Sequence, residues 1–141
     1  MLPKTEDPDL HLLIDGVRVE AHERRGMMHV FRLQSRPKSV RIVSRESVPT
    51  ELGLSRDPRS LGVALRRVVL IQGRHLATIE AEDARLTHGY HDYETAENLR
   101  WTNGDAILPA EVFATFGNGA LVELHLGGAT TYPLFGRAAA A

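Results

Sequence analysis

Alternation of hydrophobic and polar residues runs through most of the chain and predicts strands rather than helices. The segment LHLLIDGVRVEAH places an apolar run before Asp15-Gly16 and a strict alternation after it. Because Asp-Gly tolerates the positive φ angles of a type I′ turn, this segment predicts a two-residue β-hairpin. HVFRL at 29–33 and SVRIVS at 39–44 are short and rich in β-branched or aromatic residues, and they predict a second hairpin.

The second half of the chain continues this pattern. LGVALRRVVLIQ predicts a long strand buried mainly on one face, with its phase interrupted by Arg67; the residues in phase are Val63, Leu65, Val69 and Ile71. LRWTNGDAIL predicts a further hairpin around Asn103-Gly104, and ALVELHL predicts a closing strand with alternating faces.

Two short segments favour helical turns. Residues 81–88 predict one or two turns, and PAEVFATF predicts a short helix because Pro109 suits a first turn and Gly117 follows the end. Eight or more short strands in 141 residues then predict a mainly β fold. We expect an antiparallel β-sandwich, jelly-roll or immunoglobulin-like, with one or two short helices and a core between two sheets.

Length and composition narrow the class of protein. The 141 residues fit one domain, and we expect a single β-sandwich domain over 1–136 and a tail over 137–141. The absence of cysteine excludes disulfides, thiolate ligands and cysteine nucleophiles. No apolar run approaches the roughly 18 residues of a membrane span, and MLPKTEDPDL has no signal-peptide hydrophobic region. The compartment stays open, and export as part of a longer protein remains compatible with the sequence.

Charge is unevenly distributed although the net charge is only −1. Residues 24–67 carry eleven Lys or Arg against three acids, whereas 6–23 and 80–111 are acidic. A basic tract can neutralise the phosphates of a nucleic acid. Oppositely charged segments of one small domain are more often neighbours or separate solvated faces, so no nucleic-acid partner is expected.

No motif of a known catalytic class is present. THGYHDYE contains the densest cluster of ligand-capable side chains: His88, His91, Asp92 and Glu94. In a loop or strand the three-residue offset directs the two histidines to opposite faces, and a third fixed metal ligand is missing. No GxSxG elbow or Walker sequence occurs. We therefore expect no catalytic residues, metal or cofactor, and a metal-dependent hydrolase is the third hypothesis.

The aromatic residues are grouped. Five of the eight lie between Tyr90 and Phe116, around Trp101, which is the only tryptophan. Beside Arg100 and near Asp105, its ring could stack on a sugar while the charged groups bind hydroxyls. In the alternative interpretation, Trp101 fills the core and Arg100 pairs with a local acid.

Two stretches resemble a known region when they are taken together: VRIVSRESVPTELGLSRDPRSLGVALRRVVL and GYHDYETAENLRWTNGDAILP. They are similar to a β-rich accessory domain, of unestablished activity, that occurs downstream of bacterial hedgehog/intein-type (Hint) domains and in some glycan-assembly proteins. With DPDLHLLIDGVRV, the resemblance extends from about Asp7 to Pro109. The recurring positions are Ser44, Arg45, Pro49, Arg56, Asp57, Arg59, Leu61, Gly62, Val63, Gly89, His91, Glu94, Arg100, Trp101, Thr102, Gly104 and Asp105.

The chain departs from the Hint domain itself, which needs an amino-terminal nucleophile such as cysteine and its own histidine motifs. The resemblance therefore implies an appended module rather than the self-cleaving part. The glycan-assembly proteins favour saccharide or cell-surface binding by fold-level analogy.

The leading hypothesis is a non-enzymatic binding module for carbohydrate or a cell-surface partner, appended to a larger bacterial protein. Trp101 is expected to stack and the others to bind hydroxyls or anionic groups; the expected ligand-binding residues are Arg56, Arg59, His91, Glu94, Arg100, Trp101 and Asp105. The alternative is a structural or domain-interaction module without a small ligand. In that case a network of Asp57, Arg59, Glu94 and Arg100 only holds the long loops against the sheet.

Overall fold

The computed structural model describes residues 3–128 and 130–134. These residues form twelve strands and one short 3-10 helix, with no longer helix among them. The strands are β1 (Lys4–Thr5), β2 (His11–Ile14), β3 (Val17–Val19), β4 (Glu23–Arg25), β5 (Met28–Arg32), β6 (Val40–Val43), β7 (Ala64–Gln72), β8 (His75–Glu80), β9 (Arg100–Trp101), β10 (Asp105–Leu108), β11 (Leu121–Gly128) and β12 (Tyr132–Pro133). The 3-10 helix spans Ala110–Phe113. In the described part of the chain, no helix has the length and apolar character to cross a membrane.

The strands form two main antiparallel sheets. The small sheet has the order β10-β6-β2-β3, and the large sheet has the order β4-β5-β11-β7-β8. Strand β9 also pairs with β7, beyond the end of β8. Strands β1 and β12 form a separate two-stranded ribbon.

One hydrophobic core draws side chains from both sheets. Val122, Leu124 and Leu126 of β11 are buried and alternate with half-buried neighbours, as predicted. Leu12 and Ile42 contribute from the small sheet. Burying an aliphatic side chain of this size stabilises a fold by about 1.5–3 kcal/mol. The predicted mainly β, antiparallel architecture of packed sheets is confirmed.

The first predicted hairpin is confirmed. Ile14 pairs with Val17, and the two turn residues Asp15 and Gly16 have φ angles of 51° and 80°. Both values are positive, as a type I′ turn requires. The Asp15 carboxylate also accepts the backbone N–H of Ser39 at 2.9 Å, which ties the turn to the approach of β6.

The other two predicted hairpins are wrong. Strand β5 belongs to the large sheet and β6 to the small one, and the same holds for β9 and β10. Both edges of β6 are already occupied by β2 and β10. Two strands joined by a turn-rich segment show the same local sequence pattern whether they pair as a hairpin or belong to different sheets. The pattern alone therefore does not distinguish a hairpin from a crossover.

The predicted phase of β7 is correct only in its first part. Val63 and Leu65 are buried, but beyond Arg67 the buried residues are Val68 and Leu70. His125 pairs with Arg67 whereas Leu126 pairs with Leu65, so Arg66 is an extra residue in β7. Such a bulge exchanges the two faces of the strand beyond it. The inward assignment of Val69 and Ile71 is therefore corrected.

The predicted helical segments are mostly turns. Residues 81–88 contain two turns closed by backbone hydrogen bonds from Asp83 to Glu80 and from Leu86 to Asp83, but no helix. The predicted helix after Pro109 does begin at Ala110 and is a single 3-10 segment. The predicted tail 137–141 lies outside the described residues.

Candidate functional site

The structure divides the predicted site residues among three places. Five of them are held together by hydrogen bonds where loop 44–60 meets segment 81–102; with Asp57 they are named the loop cluster, which comprises Asp57, Arg59, His91, Glu94, Arg100 and Trp101. Asp105 lies apart from them, at the start of β10 on the small sheet. Arg56 is exposed and has no hydrogen-bond or ion-pair partner among the described residues.

Arg59 joins two acids of the loop cluster. Its Nε and Nη2 atoms donate to the Asp57 carboxylate at 3.0 and 2.7 Å, and Nη2 lies 3.4 Å from Glu94 Oε2. Hydrogen bonds from the Arg59 side chain lower the pKa of Asp57 to about 2. The same pairing raises the pKa of Arg59. These three charges are thus largely satisfied by one another.

His91 ties the long loop to β9. Its Nε2 atom lies 2.6 Å from the carbonyl oxygen of Ser60, and because a carbonyl only accepts, Nε2 carries the hydrogen and donates it. The His91 backbone N–H donates to the carbonyl of Trp101 at 2.9 Å. Trp101 itself is only partly buried.

Arg100 donates hydrogen bonds to backbone carbonyls of segment 81–91. Its Nε donates to the carbonyl of Ala81 at 2.7 Å, and its Nη1 lies 3.3 and 3.4 Å from the carbonyls of Leu86 and His91. The guanidinium carbon lies 6.0 Å from the centroid of the Tyr93 ring. Since irregular backbone has no ladder to satisfy its carbonyls, Arg100 supplies the missing donors.

Segment 88–90 closes the outer edge of β10. Ile107 donates its N–H to the carbonyl of His88 at 3.0 Å and accepts the Tyr90 hydroxyl at 3.0 Å. Burial raises the pKa of that hydroxyl. Gly89 has a φ of 90°, and a Cβ there would lie 2.2 Å from the Asp105 carbonyl oxygen. Only glycine allows the backbones this close.

A groove of about 410 Å³ opens at one end of the small sheet. His11, Val43 and Asp105 are paired in register across β2, β6 and β10, so they lie on one face of the sheet, opposite the core. This site is named the end groove; its lining is completed by Asp9, Ser44, Arg45, Glu46, Gly104, Pro133 and Leu134. Asp105 is the only predicted site residue in this lining.

His11 is only 8% exposed and lines the end groove. Its Nδ1 lies 2.8 Å from the carbonyl oxygen of Asp9, so Nδ1 donates and the ring orientation is held. The other ring nitrogen, Nε2, has no hydrogen-bond partner among the described residues. In the neutral imidazole Nε2 is therefore an open acceptor.

Two groove carboxylates are oriented by arginines that do not line the groove. Arg18 Nη2 lies 2.6 Å from Asp9 Oδ1, and this hydrogen bond lowers the pKa of Asp9. Arg41 binds Asp105 through both oxygens, with Nε to Oδ1 at 2.9 Å and Nη2 to Oδ2 at 2.7 Å. A carboxylate has about four acceptor sites, so each keeps lone pairs for a further donor.

Arg45 contributes donors. Its Nε donates to the carbonyl of Asp7 at 3.1 Å, and its backbone N–H donates to the carbonyl of Pro8 at 2.7 Å. The two terminal nitrogens have no hydrogen-bond or ion-pair contact among residues 3–128 and 130–134. Val43 and Pro133 add an apolar part to the lining. The end groove therefore combines open acceptors, open donors and apolar surface.

Sequence reasoning missed His11, Asp9 and Glu46 as site residues. A lone histidine at the start of an apolar strand has no local signal, because its partners come from other strands. Asp105 is predicted from its place near Trp101, and Ser44, Arg45 and Gly104 are among the positions named for the resemblance; these are the only sequence signals for the groove.

Among the described residues, no group of three or more His, Cys, Asp or Glu side chains is placed to hold a metal ion. No protein-family model, curated protein or solved structure matches the chain.

Proposed function

We propose that this protein is a non-enzymatic β-sandwich module that binds a saccharide in the end groove. One observation carries the proposal: a concave site is lined by residues that keep open hydrogen-bond donors, open acceptors and apolar surface. Ligand sites commonly measure about 300–1,000 Å³. The 410 Å³ of the end groove is enough for a small saccharide unit.

The polar groups match the chemistry of sugar hydroxyls. Each hydroxyl both donates and accepts, and neighbouring hydroxyls can bind an acceptor and a donor side by side. The Asp105 carboxylate and His11 Nε2 accept, while the terminal nitrogens of Arg45 donate. Val43 and Pro133 offer apolar contact for the C–H groups of the ring.

Charge in the groove favours a neutral sugar. Asp9 is paired with Arg18, and Asp105 is paired with Arg41. Since both carboxylates already have a cationic partner, an additional ammonium group on the ligand gains little. The positive charge of Arg45 is balanced by the negative charge of Glu46, which also lines the groove, so an anionic group on the ligand gains little either. The proposed ligand is therefore a neutral saccharide, and the resemblance to accessory regions of Hint and glycan-assembly proteins supports an appended, surface-directed module.

The test is a glycan-array screen followed by titration of the bound saccharide. Arg45→Ala removes two open donors, and loss of a hydrogen bond to a charged group costs about 1.5–3 kcal/mol, which weakens binding about ten- to hundredfold. The matched control is Arg36→Ala, because Arg36 is exposed and has no partner among the described residues. This control retains wild-type affinity, and thermal unfolding checks that both variants are folded.

Two outcomes overturn the proposal. If no class of saccharide binds, the second candidate function, a domain-interaction module, replaces it; the internally paired loop cluster favours that candidate. If Trp101→Ala abolishes binding while Arg45→Ala does not, the saccharide binds at the loop cluster instead.

A further inference from the structure

The four outer edges of the two sheets differ in how they are protected. Strands β3 and β4 have three residues each, and all three residues of β4 are charged. The edge of β10 is covered by segment 88–90. Strand β8 has six residues, and no described strand or loop pairs with its outer edge.

The backbone groups on this outer edge can be assigned. Gln72 and His75 close a two-residue hairpin, and Ala81 donates to the carbonyl of Arg66 at 2.9 Å. Hydrogen-bonded pairs alternate in an antiparallel ladder, so the odd-numbered residues of β8 bond to β7. The N–H and C=O groups of Leu76, Thr78 and Glu80 therefore point outward. Of these groups, the Glu80 carbonyl accepts Asp83 N–H at 3.0 Å within a turn.

The side chains do not block this edge. The four central residues Leu76–Ile79 are uncharged, and Leu76 is 60% exposed. Natural edges are usually protected by short length, lysine, proline, a bulge or a covering segment. Strand β8 has no lysine, proline or bulge, no described segment covers it, and its one acidic residue, Glu80, lies at its end.

We propose that β8 pairs antiparallel with β8 of a second copy of this chain, with Thr78 on the twofold axis. In this register Thr78 lies opposite Thr78 of the second copy, and Leu76 lies opposite Glu80 of the second copy. Outward-pointing residues thus face one another, as a hydrogen-bonded ladder requires. The two large sheets become one continuous sheet, and the pairing is self-complementary as a twofold dimer demands.

Charge complementarity favours a second copy as the occupant. The same register brings Arg74, in the turn before β8, close to Glu82 of the second copy, in the turn after β8, and symmetry repeats the pair at the other end. Both side chains are exposed, and neither has an ion-pair partner among the described residues. A register shifted by two residues would instead place Arg74 opposite Glu80, which is already paired with Arg67 at 3.4 Å.

The test is sedimentation velocity over a concentration series. The wild-type chain forms a reversible dimer, whereas Arg74→Glu faces Glu82 of the second copy and weakens the dimer on the order of tenfold. The double variant Arg74→Glu/Glu82→Arg restores the dimer because the charges are exchanged. Arg36→Glu is the matched control, since it makes the same change at an exposed arginine outside β8, and it leaves the dimer unchanged.

Amide hydrogen exchange gives a second measurement that does not depend on a variant. The amides of Leu76 and Thr78 exchange more slowly as the protein concentration rises. A chain that is monomeric at every concentration overturns the proposal, as does a dimer that is insensitive to Arg74→Glu. Both outcomes are independent of saccharide binding, because the end groove lies on the small sheet.

Discussion

The loop cluster and the end groove contain similar side chains but use them differently. In the loop cluster, Arg59 binds Asp57 and Glu94, and Arg100 binds three backbone carbonyls. In the end groove, Arg45 and His11 each bind one backbone carbonyl and keep open nitrogens.

This difference shows that residue type alone does not identify a binding site. What matters is the hydrogen-bonding capacity that remains after the fold has been satisfied. Variants of the loop cluster are therefore expected to change stability and leave ligand affinity unchanged. Variants of the end groove are expected to do the reverse.

The largest effect is expected for Gly89→Ala beside the loop cluster. A Cβ at this position would lie 2.2 Å from a backbone oxygen, in a residue with φ of 90°. Backbone strain and the clash together cost about 3 kcal/mol or more, measured by urea unfolding. Gly16→Ala is the control, because Gly16 has φ of 80° but no atom within 4 Å of its Cβ position. Equal losses in both variants would contradict the close approach to β10.

Arg100→Ala is expected to cost about 2 kcal/mol of unfolding free energy, since removal of a charged donor leaves carbonyls without partners. The three affected carbonyls belong to Ala81, Leu86 and His91. Arg100→Lys recovers part of the loss. A variant with wild-type stability and weakened saccharide binding would instead make Arg100 a ligand contact.

Arg41→Ala tests the end groove through a positioning residue. It releases the Asp105 carboxylate from its two hydrogen bonds, so saccharide affinity is expected to fall about fivefold. The pair is half exposed and screened by solvent, so its loss changes the free energy of unfolding little. Titration with the saccharide measures the affinity, and urea unfolding of the same sample measures the stability. A large loss of stability with unchanged affinity would show that Arg41 supports the fold and does not position Asp105 for a ligand.

The smallest effect concerns the pH dependence of the Asp57–Arg59 pair. The folded pKa of Asp57 is about 2, below its ordinary value of 3.8. Its stabilisation is therefore fully present above the unfolded pKa and is lost as pH falls through about 2. Asp57→Asn is less stable than wild type at neutral pH. The difference in free energy of unfolding between the two proteins becomes smaller as the pH falls from 3.8 to about 2. A pH-independent difference in urea unfolding would contradict the ion pair.

Local pattern predicted the strands and the class of fold. The alternation in β11 and the Asp15-Gly16 turn were interpreted correctly because each depends on neighbouring residues only. Strand partners were not predictable in the same way, since β5 and β6 look like a hairpin but enter different sheets. The only sign of the bulge at Arg66 in the sequence is the interrupted alternation of hydrophobic residues in β7.

The site was harder to predict than the fold. His11 and Asp105 are far apart in sequence and meet only because β2, β6 and β10 are neighbours. Arg59 and Glu94 were expected to interact with a ligand, and the alternative prediction that they hold loops together matches their contacts. No sequence pattern shows which hydrogen-bond donors will be paired within the folded protein and which will stay open to a ligand.

The central claim is that ligand binds in the end groove rather than at the loop cluster, and NMR titration with the saccharide tests it most directly. Trp101 is the only tryptophan, so its indole N–H gives one unambiguous signal. The account predicts that the amides of His11, Gly104 and Asp105 shift on titration while the Trp101 indole signal stays in place. A shift of the indole signal with unchanged groove amides would contradict it.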